Sequence, residues 1–88
     1  PNIIVAVTDD GVATKHPDLA ANIWSGVGKD FVGNNGKGGP NPNPFGFDSH
    51  GTHVAGIIAA ATNNGVGVAG VAGGDGTANT GARIMALR

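Results

Sequence analysis

The chain has 88 residues, enough for one small domain, and a formal net charge of −1 that gives no electrostatic case for nucleic acid or an anionic membrane as a partner. It has no cysteine, which excludes a disulfide framework, a thiolate nucleophile and a cysteine-based zinc site, and suits a cytoplasmic protein and a secreted bacterial one equally. No apolar run approaches the roughly 18 residues of a membrane-spanning helix, and residues 3–7 are too short and lack the basic flank of a signal peptide. The 17 glycines follow no triplet period, and 40% of the residues are hydrophobic. Tight turns and close helix–sheet packing therefore explain them better than collagen or disorder.

Residues 3–8 form a continuous, β-branched apolar run without alternation, which predicts a parallel strand covered on both faces. Asp9-Asp10-Gly11 ends it and places two carboxylates at its C-terminal end, the edge where open α/β sheets build their sites. His16-Pro17-Asp18-Leu19 reads as a short helical turn, Ile23-Trp24 as an apolar anchor and Asp30-Phe31-Val32 as a short strand. Residues 34–44, rich in Gly, Asn and Pro, predict an exposed, mobile loop, from which Phe45 and Phe47 return to the core. A buried helix is predicted over about residues 50–62. Ser49 is its N-cap, Asp48 favours its positive end, and Ala55, Gly56, Ala59 and Ala60 form a small-residue face toward the sheet. Asn63-Asn64-Gly65 stops it. After a second Gly-rich loop at residues 73–81, residues 83–87 read as another buried strand. The order strand, helix, strand is one βαβ crossover. The predicted fold class is α/β, a partial doubly wound parallel sheet with flanking helices, in which residues 1–88 are the N-terminal portion of a larger domain, since two apolar strands cannot cover both faces of their own sheet.

Asp9 and His50 are the pair that carries chemistry. A carboxylate at a strand end can hold an imidazole in one tautomer and stabilise the imidazolium that forms on proton transfer. Each residue also has a plain structural reading, Asp9 as a turn former and His50 as a cap or packing residue. Gly65-Val66-Gly67-Val68-Ala69-Gly70 fits a dinucleotide-binding pattern but follows a helix rather than a strand. His50 and His53 with Asp48 could ligate a metal, but no acidic general base lies within that helix.

Val7-Thr8-Asp9-Asp10-Gly11-Val12 resembles the aspartate motif of the subtilisin-like serine proteases, the subtilase family. Its Asp-Asp-Gly form is similar to that of the kexin-type branch. His50-Gly51-Thr52-His53-Val54-Ala55-Gly56 resembles the family's histidine motif at every position but lacks the Arg-Cys of kexin-type members, so the chain as a whole resembles a bacterial subtilisin-type protein. His16-Pro17-Asp18-Leu19 and the stretch Asn63 through Ala72 continue the likeness. The resemblance implies a serine endopeptidase acting on polypeptides and a secreted location. It implies that Asp9 orients and that His50 is the general base, with His53 structural and facing into the helix packing. The only serines, Ser25 and Ser49, lack the surroundings of the family's nucleophile, so the serine is expected outside this chain. The remainder of the catalytic domain beyond Arg88 is then a partner, and the 88 residues alone are expected to be inactive. The resemblance further implies a structural Ca²⁺ held by the side chains of Asp18 and Asn64 and the carbonyls of Thr62, Val66 and Val68, hard oxygen donors in a tight loop. A non-catalytic, protein-binding fragment or pseudo-protease is the alternative, which the absence of a serine motif downstream would favour.

Overall fold

A computed structural model of the chain describes residues 3–26, 28–33 and 38–88. Four elements follow in order: strand β1 (Ile4–Thr8), a 3-10 turn (Ala20–Asn22), helix α1 (His50–Ala59) and strand β2 (Arg83–Leu87). The strands pair in parallel, from Ile4 opposite Arg83 to Thr8 opposite Leu87, and the Asp9 N–H extends the ladder to the Leu87 carbonyl at 3.0 Å. On its other edge β2 takes parallel bridges from Ile23 to Ile84 and from Lys29 to Leu87. The Ile23-Trp24 anchor is thus a strand-like contact, fixed by the Trp24 N–H on the Ile84 carbonyl at 2.8 Å.

The strand expected at residues 30–32 forms one residue earlier. Lys29 and Asp30 carry the bridges, and the chain bends at Phe31 and Val32. The Asp30 carboxylate causes the bend, because one oxygen accepts both the Val32 and Gly33 N–H groups at 2.9 Å, a local turn that competes with strand pairing. The same oxygen pairs with Arg88 at 2.9 Å, whose guanidinium lies 4.1 Å from the Phe45 ring centroid. Phe45 thus rests on a cation at the surface, while Phe47, expected against the core, is fully exposed.

The core is built from small residues: Val7, Val12, Leu19, Ala55, Ala59, Ala60, Ala82, Ile84 and Ala86. Helix α1 buries Gly51, Ala55 and Ala59, one stripe at i, i+4 and i+8. Gly56 lies off that stripe with open space where a Cβ would stand, so it is not part of the face toward the sheet. The apolar strand β1 is not covered on both sides within these residues. Val7 is buried and Val5 partly so, but Ile4, Ala6 and Thr8 are exposed.

The helix stops at Ala59, three residues before the expected end, and Ala60 is extended (φ −55°, ψ 136°). Tertiary contacts end it. The carbonyls of Ile57, Ile58 and Ala60 accept the N–H groups of Val71, Ala72 and Gly70 at 2.9, 2.7 and 3.0 Å, so residues 70–72 cross the helix end and satisfy the acceptors a terminus leaves open. Buried Asn22 braces the same corner, its amide donating to the Ala59 and Gly73 carbonyls at 2.9 and 3.1 Å. Within the loop expected at residues 34–44, Asn34, Asn35, Gly36 and Lys37 lie outside the described residues. The rest is tied down: the Pro42 carbonyl accepts the Val12 N–H at 2.9 Å, and Asn43 Oδ1 the Thr14 N–H at 3.1 Å. The loop at residues 73–81 closes on Asp75, which accepts from the Thr77 N–H at 2.9 Å and the Thr80 hydroxyl at 3.0 Å.

Candidate active site

Strand β1 delivers Asp9 to the mouth of α1. Beyond it the chain turns at Gly11 (φ +113°), where a side chain would be strained and a Cβ would stand 2.7 Å from the Pro44 nitrogen. Helix α1 closes from the other side. A Cβ at Gly51 would land on the Gly11 carbonyl oxygen and lie 3.0 Å from both Asp10 Oδ1 and Asp9 Cβ, so only glycine lets the two backbones meet. This contact brings His50 to Asp9 across 41 residues of sequence, with Nδ1 at 2.8 Å from each carboxylate oxygen.

The two side chains differ in environment. His50 is 74% exposed and Asp9 19%. The N–H of Asp10 on Asp9 Oδ1, at 2.7 Å, and then the His50 contact hold the Asp9 carboxyl below its ordinary value. The hydrogen bond and charge of Asp9 raise the His50 pKa. Desolvation opposes this rise and is the smaller influence. With Nδ1–H directed at the carboxylate, the neutral ring carries its lone pair on Nε2, the tautomer a general base requires.

The helix mouth is capped differently from the sequence expectation. Ser49 occupies the N-cap position, but its side chain makes no capping hydrogen bond. Asp10 does this instead from a distant segment: Oδ1 accepts the Gly51 N–H at 2.7 Å and Oδ2 the His50 N–H at 3.3 Å. Thr52 adds a third tie, its hydroxyl accepting the Ala13 N–H at 3.0 Å. No local pattern announces a cap supplied 40 residues away; only the doubled Asp before Gly hinted that the second carboxylate had a separate task. His53 does not face into the helix packing. It is exposed, on an open groove of about 580 Å³ shared with Ser49, Thr52, Ile57 and Val68. Neither Ser25 nor Ser49 hydrogen-bonds to His50.

Of the residues expected to hold calcium, Asp18 meets Asn64 and Val68, and Asn64 meets Val66. Asp18 is 2% exposed and accepts the Asn64 amide and the Val68 N–H, each at 2.8 Å, which lower its pKa. Asn64 Oδ1 accepts the Val66 N–H at 3.2 Å. Among the described residues, no backbone N–H donates to the carbonyls of Thr62, Val66 or Val68, and no Lys or Arg pairs with Asp18.

The chain is similar in sequence and in fold to known proteins. The sequence model of the subtilase family, peptidase S8, matches residues 1–80. The chain belongs to the subtilase family. It is 45% identical over 84 residues to a thermophilic serine proteinase of Bacillus sp. strain AK1, covering 96% of this chain and 17% of the relative. It is 46% identical over 68 residues to thermitase of Thermoactinomyces vulgaris, covering 77% and 22%, and 44% identical over 70 residues to halolysin of Haloferax mediterranei, covering 80% and 13%. The crystal structure of the Aeromonas sobria serine protease in complex with a chaperone superposes with a TM-score of 0.73 at 38% identity, over 97% of this chain and 12% of that one. The chain thus spans less than a quarter of the length of these relatives, and its parallel sheet and helix are a portion of the subtilisin-like α/β fold.

Proposed function

We propose that this subtilase chain carries two of the three members of a serine endopeptidase triad, Asp9 and His50. A serine outside the 88 residues supplies the nucleophile. The observation that carries the reading is the 2.8 Å contact between His50 Nδ1 and Asp9 at a strand end and a helix mouth. In the reaction His50 Nε2 takes the serine proton as the hydroxyl attacks the scissile carbonyl, then returns it to the leaving amine. Asp9 fixes the ring and stabilises the imidazolium between the two steps. The substrate is polypeptide. Residues beyond Arg88 provide the oxyanion donors. A secreted location is the further reading, which fractionation of the producing culture tests.

The deciding experiment treats the intact protein with a fluorophosphonate and maps the modified residue by mass spectrometry. One labelled serine outside residues 1–88, with labelling lost in His50→Ala, is the expected result. A folded, unlabelled protein would mean a pseudo-protease that keeps Asp9 and His50 as scaffold.

The Asp18 site fits a hard divalent cation. Among the described residues this buried carboxylate pairs with no Lys or Arg, and the carbonyls of Thr62, Val66 and Val68 accept no backbone N–H. Asn64 presents its nitrogen to Asp18, and rotation of the amide exchanges nitrogen for oxygen. Asp18, Asn64 and the carbonyls of Thr62, Val66 and Val68 would hold Ca²⁺, which would supply structural cross-linking rather than chemistry.

A further inference from the structure

We infer that Asp10 is a positioning residue, whose carboxylate locks the first turn of α1 to the strand end that bears Asp9 and so sets the Asp9–His50 contact. The inference rests on the protease reading and adds to it a residue with no assigned role.

The geometry is specific. Asp10 follows Asp9 directly, and both its oxygens are used by the first two residues of α1: the His50 N–H at 3.3 Å and the Gly51 N–H at 2.7 Å. His50 is thus held twice by adjacent aspartates, by its ring from Asp9 and by its backbone from Asp10. The next residues continue the register, Gly51 against the Gly11 carbonyl and Thr52 on the Ala13 N–H. Two segments some 40 residues apart are therefore matched residue for residue, and Asp10 is the only side chain of its segment that grips the helix backbone. Without it, α1 can rotate or fray at its first turn, because Ser49 offers no capping bond in its place. An imidazole on a frayed turn no longer keeps a 2.8 Å contact.

Asp10 acts on the proton as well. Among the described residues the charged groups that act on His50 are Asp9 and Asp10, both from the turn after β1, and α1 carries no Lys, Arg, Asp or Glu to oppose them. Asp10 adds to the rise in the His50 pKa and counters the positive end of the helix dipole. Asp10→Asn keeps one acceptor and loses the charge; Asp10→Ala loses both.

The test uses the intact protein and two readouts. Steady-state peptide hydrolysis across pH should show kcat falling about 10-fold to 100-fold in Asp10→Ala, the range expected for a misplacement of up to about 1 Å, with KM unchanged. Asp10→Asn should lose less, and the acid limb should move to lower pH in both. NMR titration of the His50 ring, which needs no activity, should show the same downward shift in Asp10→Asn. A folded variant that melts lower but keeps kcat, the acid limb and the His50 titration would overturn the inference and leave a simple cap. A rise in KM confined to peptides with basic side chains would also overturn it, since Asp10 would then touch substrate. If the wild type hydrolyses nothing and takes no fluorophosphonate label, the protease reading fails. The His50 titration then decides the positioning role by itself: Asp10→Ala, which loses charge and acceptors, must shift it further than Asp10→Asn, which keeps one acceptor, and equal shifts would leave a charge effect only.

Discussion

Replacing Gly51 with alanine sets two effects against each other. Intrinsic helix propensity favours alanine by about 1 kcal/mol, so a helix judged alone would gain stability. The packing opposes this. The new Cβ would stand 3.0 Å from Asp9 Cβ, where carbon–carbon contacts settle at about 3.5–4.0 Å. The first turn of α1 must therefore retreat by about 0.5–1 Å, and further to clear the Gly11 carbonyl, which is backbone and cannot rotate away. Overpacking of this kind costs about 1–3 kcal/mol, which exceeds the propensity gain. A retreat of that size at a reacting group costs up to about 10²-fold in rate. The expected outcome for Gly51→Ala in the intact protein is a lower melting temperature, a fluorophosphonate labelling rate reduced by up to about 10²-fold, and a His50 ring whose NMR titration has moved back toward the ordinary imidazole value. A variant that melts higher than wild type and labels at the same rate would refute the close approach as the source of the contact.

The pair's pH dependence follows from its two shifts. Asp9 is lowered, so its contribution to stability is present above the ordinary carboxyl value and lost as pH falls through the lowered one. His50 is raised, so its contribution is full below the ordinary imidazole value and lost as pH rises through the raised one. Activity has the opposite relation to His50, since a base must be neutral: the acid limb of kcat/KM should lie above the ordinary imidazole value. Asp9→Asn should lower that limb and reduce kcat by about 10⁴-fold, the order of loss when the carboxylate that fixes the tautomer is removed; an unmoved limb would contradict the ring assignment. Asn22→Leu should cost about 1–3 kcal/mol in denaturant unfolding, because the Ala59 and Gly73 carbonyls each lose a buried donor. Chelation of calcium should lower the melting temperature of the wild type and leave Asn64→Ala, already without the side-chain oxygen, largely unresponsive; equal shifts in both would remove Asn64 from the ligand set.

The meeting of Asp9 and His50 was legible because its signals are local and strong. An apolar β-branched run ending in Asp9 marks a strand end, and polar residues before a small apolar run mark a helix mouth at His50. The parallel pairing of β1 with β2 followed from the crossover between them. What escaped depends on partners far along the chain. Ala60 and Ala61 are good helix formers, and only the strap at residues 70–72 ends α1 before them. Ser49 is a sound local cap, yet Asp10 supplies the capping oxygens. Asp30 looks like the first residue of a strand until its carboxylate folds back on Val32 and Gly33. Buried Asn22 reads from sequence as an ordinary polar turn residue. In each case a hydrogen bond to a backbone group decided the structure, and propensity carries no information about which distant group will be near.

The smallness of the core and the shortness of the Asp9–His50 contact have one cause. Helix α1 faces the sheet with Gly51, Ala55 and Ala59, side chains that hold a helix off its neighbour by little more than the backbone radius. A stripe of leucines would bury more apolar surface and stabilise the packing further. It would also lift the helix, and His50, on the first turn of that stripe's axis, would move with it. Stability is given up in the hydrophobic stripe and recovered in fixed polar ties: Asp10 on the helix mouth, Thr52 on Ala13, Asn22 and residues 70–72 on the helix end. These ties are directional, where hydrophobic contact is not. They define where the helix starts, stops and points, and so where it holds the His50 ring against Asp9.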